Sequence, residues 1–339
     1  MTTITQYAKD QPAGFTNRIE KVAIVGASGQ MGRQFTKALL ATGKHQVTVI
    51  TRPESEAVFP NGVTTIRVDY SGDDLADLVT ALRGQEVLLV TLNVRAPPGT
   101  VSKFIRAANE AAVKYILPNW FGQDPTNKDL IDGMGFGTMR DGVFAALAEA
   151  NIKYFFLGCN FWYEFSLAGG MDRYGFDIPN RKYTVVDSGD VKVNTTTWPQ
   201  CGRAVAALLS LKELPDDADD ETPTLAQFTN KPVYVSSFFL SQNDMFESLK
   251  RVTGTTDADW TVTHDVSKER WQGALEKVQT GDMRAFGRLM YTRGWFPNGG
   301  SDLQNTVGLA NDILSLPVED LDEATKEAVR MAMNNEVPY

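Results

Sequence analysis

VAIVGASGQMGRQFTKALLATGKHQVTVITR, from Val22 to Arg52, decides the fold. An apolar run, Val22 to Val25, leads directly into Gly26-x-x-Gly29-x-x-Gly32. A helical pattern follows, with Met31, Phe35, Ala38 and Leu39 on one face. Gly43 stands where that helix ends. A second apolar run, Val47 to Ile50, closes at Thr51-Arg52. Strand, glycine turn, helix and strand within ~30 residues make one βαβ unit.

The glycine spacing has a chemical reason. The turn is tight and its backbone must approach a pyrophosphate, so a Cβ at Gly26 or Gly29 obstructs one or the other. Gly32 lets the helix lie against the strand. The first N–H groups of the helix lack internal partners and point at an anion. Ser28 adds a hydroxyl donor. The flanking strands and helix are the context that separates this triplet from an ordinary glycine turn.

The end of the second strand selects the cofactor. Chains preferring NAD place Asp or Glu there for the ribose hydroxyls. Thr51, Arg52 and Pro53 include no acid, and Arg52 offers a planar fork suited to a 2′-phosphate. Arg33 is either a second cation near that phosphate or an exposed helix residue.

Working outward, Val63 to Val68 reads as a third strand, Asp73 to Leu82 as a helix, Glu86 to Leu92 as a buried strand and Arg95 to Gly99 as a loop. A helix over Val101 to Val113, a strand over Tyr115 to Leu117, a loop over Asn119 to Gly137, a helix to Ala150 and a strand over Lys153 to Leu157 complete the pattern. The alternation predicts an α/β fold: a Rossmann, doubly wound parallel sheet with helices on both faces, plus a smaller mixed α/β substrate domain. Residues 1–19 read as a loose arm, 20–160 as the dinucleotide domain with returning segments near 195–211 and 231–240, and 161–339 as mainly substrate-binding. Arg181 to Val186 and Val191 to Asn194 read as a hairpin around Asp187-Ser188-Gly189-Asp190. Pro232 to Phe239 reads as a strand, and the acid-rich run Glu213 to Glu221 as a solvated loop.

The 339 residues carry a net charge of -9. That argues against non-specific nucleic-acid or anionic-membrane binding, which need a basic face. The polar N-terminus lacks a signal-peptide core, and no run reaches the ~20 apolar residues of a membrane span. A cytoplasmic chain is expected. Cys159 and Cys201 form no CxxC pair, so neither a zinc site nor a disulfide framework is indicated. His45 and His264, the two histidines, read as surface or loop residues, and no metal site is expected.

These segments together resemble the NmrA-like and isoflavone-reductase-like group of atypical short-chain dehydrogenases. The resemblance rests on Gly26-x-x-Gly29-x-x-Gly32-Arg33, Thr51-Arg52-Pro53, Val68-Asp69, Leu82-Arg83-Gly84 and Tyr115-Ile116-Leu117-Pro118-Asn119-Trp120-Phe121-Gly122. The last looks like the group's FIPSEFG segment, with Asn119 and Trp120 where Ser and Glu are usual. Asn160-Phe161-Trp162-Tyr163-Glu164 and Thr197-Trp198-Pro199-Gln200 look like fungal members.

The resemblance implies NADP(H). Gly26, Ser28, Gly29, Gln30, Met31 and Gly32 would hold the pyrophosphate, Arg52 the 2′-phosphate, and Asp69 with Tyr70 would sit near adenine. Thr91, Leu92 and Asn93 would follow the cofactor. Asn119, Trp120, Phe121, Asn160 and Phe161 would border the nicotinamide, with Trp162, Tyr163 and Phe165 as flat walls for substrate. The group's reductases carry a lysine on the following helix. The matching position here is Arg140, which cannot exchange a proton; it either steadies developing charge or forms a salt bridge. Tyr163, Glu164 and water are the candidate proton sources. The expected function is NADPH-dependent hydride transfer to a C=C, C=O or C=N group of a small aromatic or polyketide-like metabolite, by a monomer or homodimer. The alternatives are a dinucleotide-sensing regulator without turnover, and a redox-neutral enzyme keeping NADP as a scaffold.

Overall fold

The apolar runs form the strands of one sheet, and the amphipathic segments between them the helices that cover it. The computed structural model describes residues 6–93, 96–297 and 300–337; Arg95 of the 95–99 loop therefore lies outside the described residues. In chain order the first part contains β1 (Lys21–Val25), α1 (Gln30–Thr42), β2 (Gln46–Thr51), β3 (Val63–Arg67), α2 (Ala76–Leu82), β4 (Val87–Val90), α3 (Thr100–Glu110), β5 (Tyr115–Leu117), β6 (Phe121–Gly122), α4 (Lys128–Gly133), α5 (Gly137–Ala150) and β7 (Lys153–Gly158). The second contains β8 (Phe161–Trp162), α6 (Tyr163–Leu167), β9 (Phe176–Asp177), β10 (Lys182–Val186), β11 (Val193–Thr196), α7 (Trp198–Leu209), β12 (Lys231–Tyr234), β13 (Phe238–Leu240), α8 (Gln242–Thr253), β14 (Thr261–Asp265), α9 (Ser267–Gln279), α10 (Phe286–Gly294), α11 (Leu303–Thr306) and α12 (Leu321–Met333).

The main sheet is parallel, in the order β12-β7-β5-β4-β1-β2-β3, with β6 also on β7. Strand alternation divides its core. Val22, Ile24, Val47, Val49, Val87, Leu89, Phe155 and Leu157 face one side, where Met31, Phe35 and Leu39 of α1 and Cys201, Val205 and Leu208 of α7 meet them. Ala23, Val25, Ile50, Leu88, Val90 and Phe156 face the other, under α2, α3 and α5. Burying a side chain such as Phe35 or Leu39, both wholly inaccessible, stabilises the fold by roughly 1.5–3 kcal/mol each. Gly43 ends α1 in the left-handed region, φ 65°, where a β-carbon is strained.

Five readings need correction. β10 and β11 are not a hairpin: β10 pairs with β9 and β14, and β11 with β8 and β13. Turn chemistry around Gly189 is satisfied, but each strand finds longer-range partners. The apolar run from Pro232 is two strands in two sheets, β12 beside β7 and β13 beside β11. The described part of the N-terminal arm is strapped down. Ala8 and Lys9 N–H donate to the Pro215 and Asp216 carbonyls, and Asn17 exchanges two hydrogen bonds with the Leu214 backbone; Met1 to Thr5 lie outside the described residues. Within the acidic run, Glu213 is buried and takes an ion pair from Lys114 at 2.8 Å. His45 is buried too, its ring nitrogens 3.0 Å from the Ile19 carbonyl and 3.2 Å from Ser210 Oγ. No described helix is long and apolar enough to cross a membrane.

Candidate cofactor and substrate site

The glycine turn joins β1 to α1 at the carboxyl ends of the strands. Gly29 N–H donates to the Gly26 carbonyl at 2.9 Å and closes it. Gly26 has φ +78°, and a β-carbon there would lie 2.2 Å from the Thr91 carbonyl oxygen. A β-carbon on Gly32 would lie 2.3 Å from the Gly26 carbonyl oxygen. These two glycines are demanded by the protein's own packing. Gly29 is less crowded: its β-carbon would lie 3.2 Å from the Gly26 carbonyl oxygen and 3.8 Å from that of Thr91, and Ser28, Gly29 and Gln30 are exposed. The N–H groups of Gln30, Met31 and Gly32 have no preceding helical carbonyl. The turn thus presents an open face of backbone donors at a helix N-terminus, which fits a pyrophosphate. Met31 itself is buried, so only its N–H is offered. The Arg33 Nε donates to the Ser28 carbonyl at 2.7 Å and stiffens the turn.

Arg52 follows β2 and is exposed. Its Nε lies 3.2 Å from Glu54, with both side chains more than half accessible. Such a pair contributes about 0–1 kcal/mol, so Glu54 holds the guanidinium fork only weakly. Arg67 NH1 donates to the Pro53 and Ser55 carbonyls and shapes this loop. The Tyr70 ring packs edge-on against Phe104 at 5.1 Å, and burial raises its phenol pKa while Arg52 opposes the rise. Asp69 is exposed and accepts from Ser71 N and Oγ. Thr91 Oγ1 donates to the Val25 carbonyl and Asn119 Nδ2 to the Leu92 carbonyl, 2.7 and 3.0 Å. They tie the ends of β1, β4 and β5 together; Asn93 lies exposed just beyond.

Several sequence candidates are elsewhere. The Trp120 indole is buried and donates to the Gln123 carbonyl at 2.9 Å, packing against Phe136 and Phe156. Phe161 is stacked on Tyr291, centroids 4.4 Å apart, in the core under the second sheet group. Tyr163 is inaccessible, its hydroxyl 2.7 Å from Thr325 Oγ1, and burial drives its pKa upward. These three aromatics build the interior. The sequence could not distinguish them from their neighbours, because core and wall take the same residue types.

A second set of rings packs nearby, with Phe121, Trp162 and Phe165 partly buried and Trp198 buried. Phe121 packs edge-on to Phe35 of α1 at 5.2 Å. Trp162, Phe165 and Trp198 form a three-ring group with centroid separations of 5.7–6.3 Å. The Arg173 guanidinium covers the Phe165 ring at 3.7 Å. Asn160, in the left-handed region at φ 51°, donates to the Ser301 carbonyl at 2.8 Å while its Oδ1 has no partner among the described residues.

Glu164 is buried, and both carboxylate oxygens accept from Trp198 N–H at 3.2 Å, at the start of α7. Burial pushes its carboxyl up to about 7 against that hydrogen bond, with Glu319 adding repulsion. Glu319 accepts from Thr197 Oγ1, Ser237 Oγ and Arg203. Arg140 is committed: its Nε donates to the Pro125 carbonyl at 2.6 Å, it pairs with Asp141, and it covers the Phe144 ring at 4.8 Å. Trp198 and Glu319 received no role from the sequence, although Pro199 one residue after Trp198 signals a helix start there. Among the described residues no His, Cys, Asp and Glu cluster suits a metal.

Comparison with known proteins places the chain among dinucleotide-binding oxidoreductases. Residues 26–132 match an NAD(P)H-binding family model. The oxidoreductase poxI of Penicillium oxalicum is 30% identical over 270 residues, covering 77% of this chain and 78% of its own. The oxidoreductase aprR of Aspergillus flavus is 27% identical over 308 residues, covering 89% and 96%. In structure the chain is similar to pinoresinol-lariciresinol and phenylcoumaran benzylic ether reductases, with a TM-score of 0.72, 20% identity and coverage of 91% and 99%.

Proposed function

Because the chain belongs to the NmrA-like and isoflavone-reductase-like family of NAD(P)-binding oxidoreductases, we propose that it reduces a C=C, C=O or C=N group of a small aromatic or polyketide-like metabolite at the expense of NADPH. The observation that carries the proposal is the pairing of an open backbone turn at Gly29 with an aromatic wall at Trp162, Phe165 and Trp198. A nucleotide sensor needs the first and has no use for the second.

In this reading Ser28 to Gly32 hold the pyrophosphate and Arg52 the 2′-phosphate. Asp69 and Tyr70 flank adenine, and Thr91 to Asn93, Asn119 and Asn160 line the path toward the nicotinamide. The cofactor, when bound, supplies the hydride chemistry. The protein fixes the acceptor against the Trp162, Phe165 and Trp198 rings and excludes water. Glu164 is the proton source, since its carboxyl, pushed up to about 7, holds a proton near neutrality and releases it readily. Tyr163 is locked away, and Arg140 is held by the Pro125 carbonyl and Asp141. Residues 20–160, with 195–211 and 231–240 returning to them, form the cofactor half, and most of 161–339 the substrate half.

The test is a screen of quinones, enones and imines for oxidation of NADPH, followed by its absorbance. Oxidation by any class supports a reductase. Tight NADPH binding with no oxidation across the screen favours the sensing alternative, which the immobilised Arg140 also favours.

A further inference from the structure

Arg52 is only as useful as the turn that carries it. The chain leaves β2 at Thr51 and turns at once through Arg52-Pro53-Glu54-Ser55, closed by the Ser55 N–H donating to the Arg52 carbonyl at 3.2 Å. Pro53 fixes φ at the second position of the turn and brings no N–H of its own. On the sheet side the residue before Arg52 is anchored, because Val68 N–H donates to the Thr51 carbonyl at 2.9 Å. Beyond it the backbone is irregular, and Arg52, Pro53, Glu54, Glu56 and Val58 are exposed. Packing therefore contributes little at the turn itself.

One guanidinium supplies the hold. Arg67, the last residue of β3, lies directly across from Thr51 in the parallel pairing. Its Nη1 donates to the Pro53 carbonyl at 2.7 Å and to the Ser55 carbonyl at 2.8 Å, with the Arg52 carbonyl farther off at 3.4 Å. Among the described residues these bonds tie Pro53 and Ser55 back to the sheet. Carbonyl oxygens gathered on one point repel one another, and the cation between them is what permits it. Without it the turn is free to open, and the Arg52 side chain loses its fixed base. The two arginines divide the work: Arg67 is spent on backbone, while Arg52, paired only with exposed Glu54, keeps its fork for a ligand.

We propose that Arg67 is a positioning residue for NADPH. It holds the turn from Arg52 to Ser55 so that the Arg52 fork meets the 2′-phosphate, and it thereby governs the preference for NADPH over NADH. The inference rests on the assignment of Arg52 to the 2′-phosphate. That phosphate is the group by which the two cofactors differ, so a residue acting through Arg52 changes the affinity of NADPH and spares that of NADH. For the same reason its effect disappears once Arg52 is gone.

The experiment is a double-mutant cycle on the full chain, with both cofactors titrated by calorimetry. Arg67→Met keeps the stem and removes charge and donors. It should weaken NADPH about tenfold, the scale of one hydrogen bond to a charged group, with NADH unchanged as the check on folding. In the Arg52→Ala background the same change should alter NADPH by less than about twofold, the non-additivity of residues that act as a unit. Arg67→Lys should stay within about threefold of the unaltered protein, since the carbonyls all meet one nitrogen and an ammonium offers its donors from one. Should Arg67→Met fail to fold, Arg67→Gln takes its place in the cycle. Unchanged NADPH affinity, equal losses for both cofactors, a loss that persists in full without Arg52, or a lysine variant as weak as the methionine one overturns the proposal. If Arg52→Ala alone leaves NADPH affinity unchanged, the assignment of Arg52 fails and this role falls with it. If Arg52→Ala weakens NADPH and Arg67→Met does not, the assignment stands and only the positioning role falls.

Discussion

The glycine turn and the aromatic wall stand at the same end of the sheet and are built in opposite ways. The turn recognises with backbone: its donors are N–H groups, and its residue identities matter because side chains are excluded. The wall, in the proposed reading, would recognise with the side chains of Phe121, Trp162, Phe165 and Trp198, on three separate stretches of chain. A backbone site is written as missing β-carbons at fixed spacing and survives as a local pattern. A side-chain site leaves no local spacing, because the fold alone brings its parts together.

The largest expected effect tests the open face of the turn. Gly29→Val should weaken NADPH binding by at least about 1000-fold, ~4 kcal/mol, with the circular dichroism unchanged. Gly32→Val should instead unfold the domain, since its β-carbon starts 2.3 Å from the Gly26 carbonyl oxygen. If both variants fold and bind, the phosphates lie elsewhere.

The next effect belongs to the wall. Glu164 has its folded pKa raised above the ordinary 4.5 to about 7, so between those values the folded state binds more protons than the unfolded. Its contribution to stability is complete below about 4.5 and is lost as pH rises through 7, amounting to about 3 kcal/mol. Glu164→Gln should remove that part of the fall in melting temperature. His45, whose pKa is lowered by burial, acts in the opposite sense, so the difference between protein and variant is the quantity to measure. Parallel melting curves across pH 5–8 would show Glu164 ionised throughout.

A smaller change sharpens the turn side. Arg52→Ala should cost NADPH binding ~1.5–3 kcal/mol and leave NADH nearly unaffected, by calorimetric titration of both. Glu54→Gln should strengthen NADPH slightly, because it removes the competitor at 3.2 Å. Equal affinity of the unaltered protein for the two cofactors would remove Arg52 from the phosphate. The smallest effect concerns Arg140. Its bond to the Pro125 carbonyl makes it a brace, so Arg140→Ala should lower stability by about 1–2 kcal/mol in urea and leave NADPH affinity unchanged.

Sequence periodicity located β1, α1, β2, β5 and β7 to within a residue or two, since each is a long apolar run or an amphipathic repeat with a glycine stop. It failed where tertiary partners decide. Asp187 to Asp190 has hairpin chemistry, yet β10 and β11 belong to different sheets. Trp120 and Phe161 read as bordering the nicotinamide and Tyr163 as a wall, because the family resemblance places them there; only three-dimensional contacts separate these buried rings from Trp162 and Phe165. Glu164 was legible as an acid in that cluster, but its partner Glu319 is 155 positions away and no local rule connects them.

Helix α7 and strand β12 have a consequence for how such a chain is rearranged. Both come from beyond residue 190, yet α7 seals Phe35 and Leu39 from solvent and β12 covers the open edge of β7. The dinucleotide half is therefore no detachable cassette. A crossover that exchanges residues 1–190 with a relative must carry matching surfaces for α7, and a chimaera cut there inherits two seams, one along a helix pair and one along a strand. Exchange of the segment between α8 and α10 crosses neither seam, but it carries β14, which pairs with β10, and so brings a strand seam of its own.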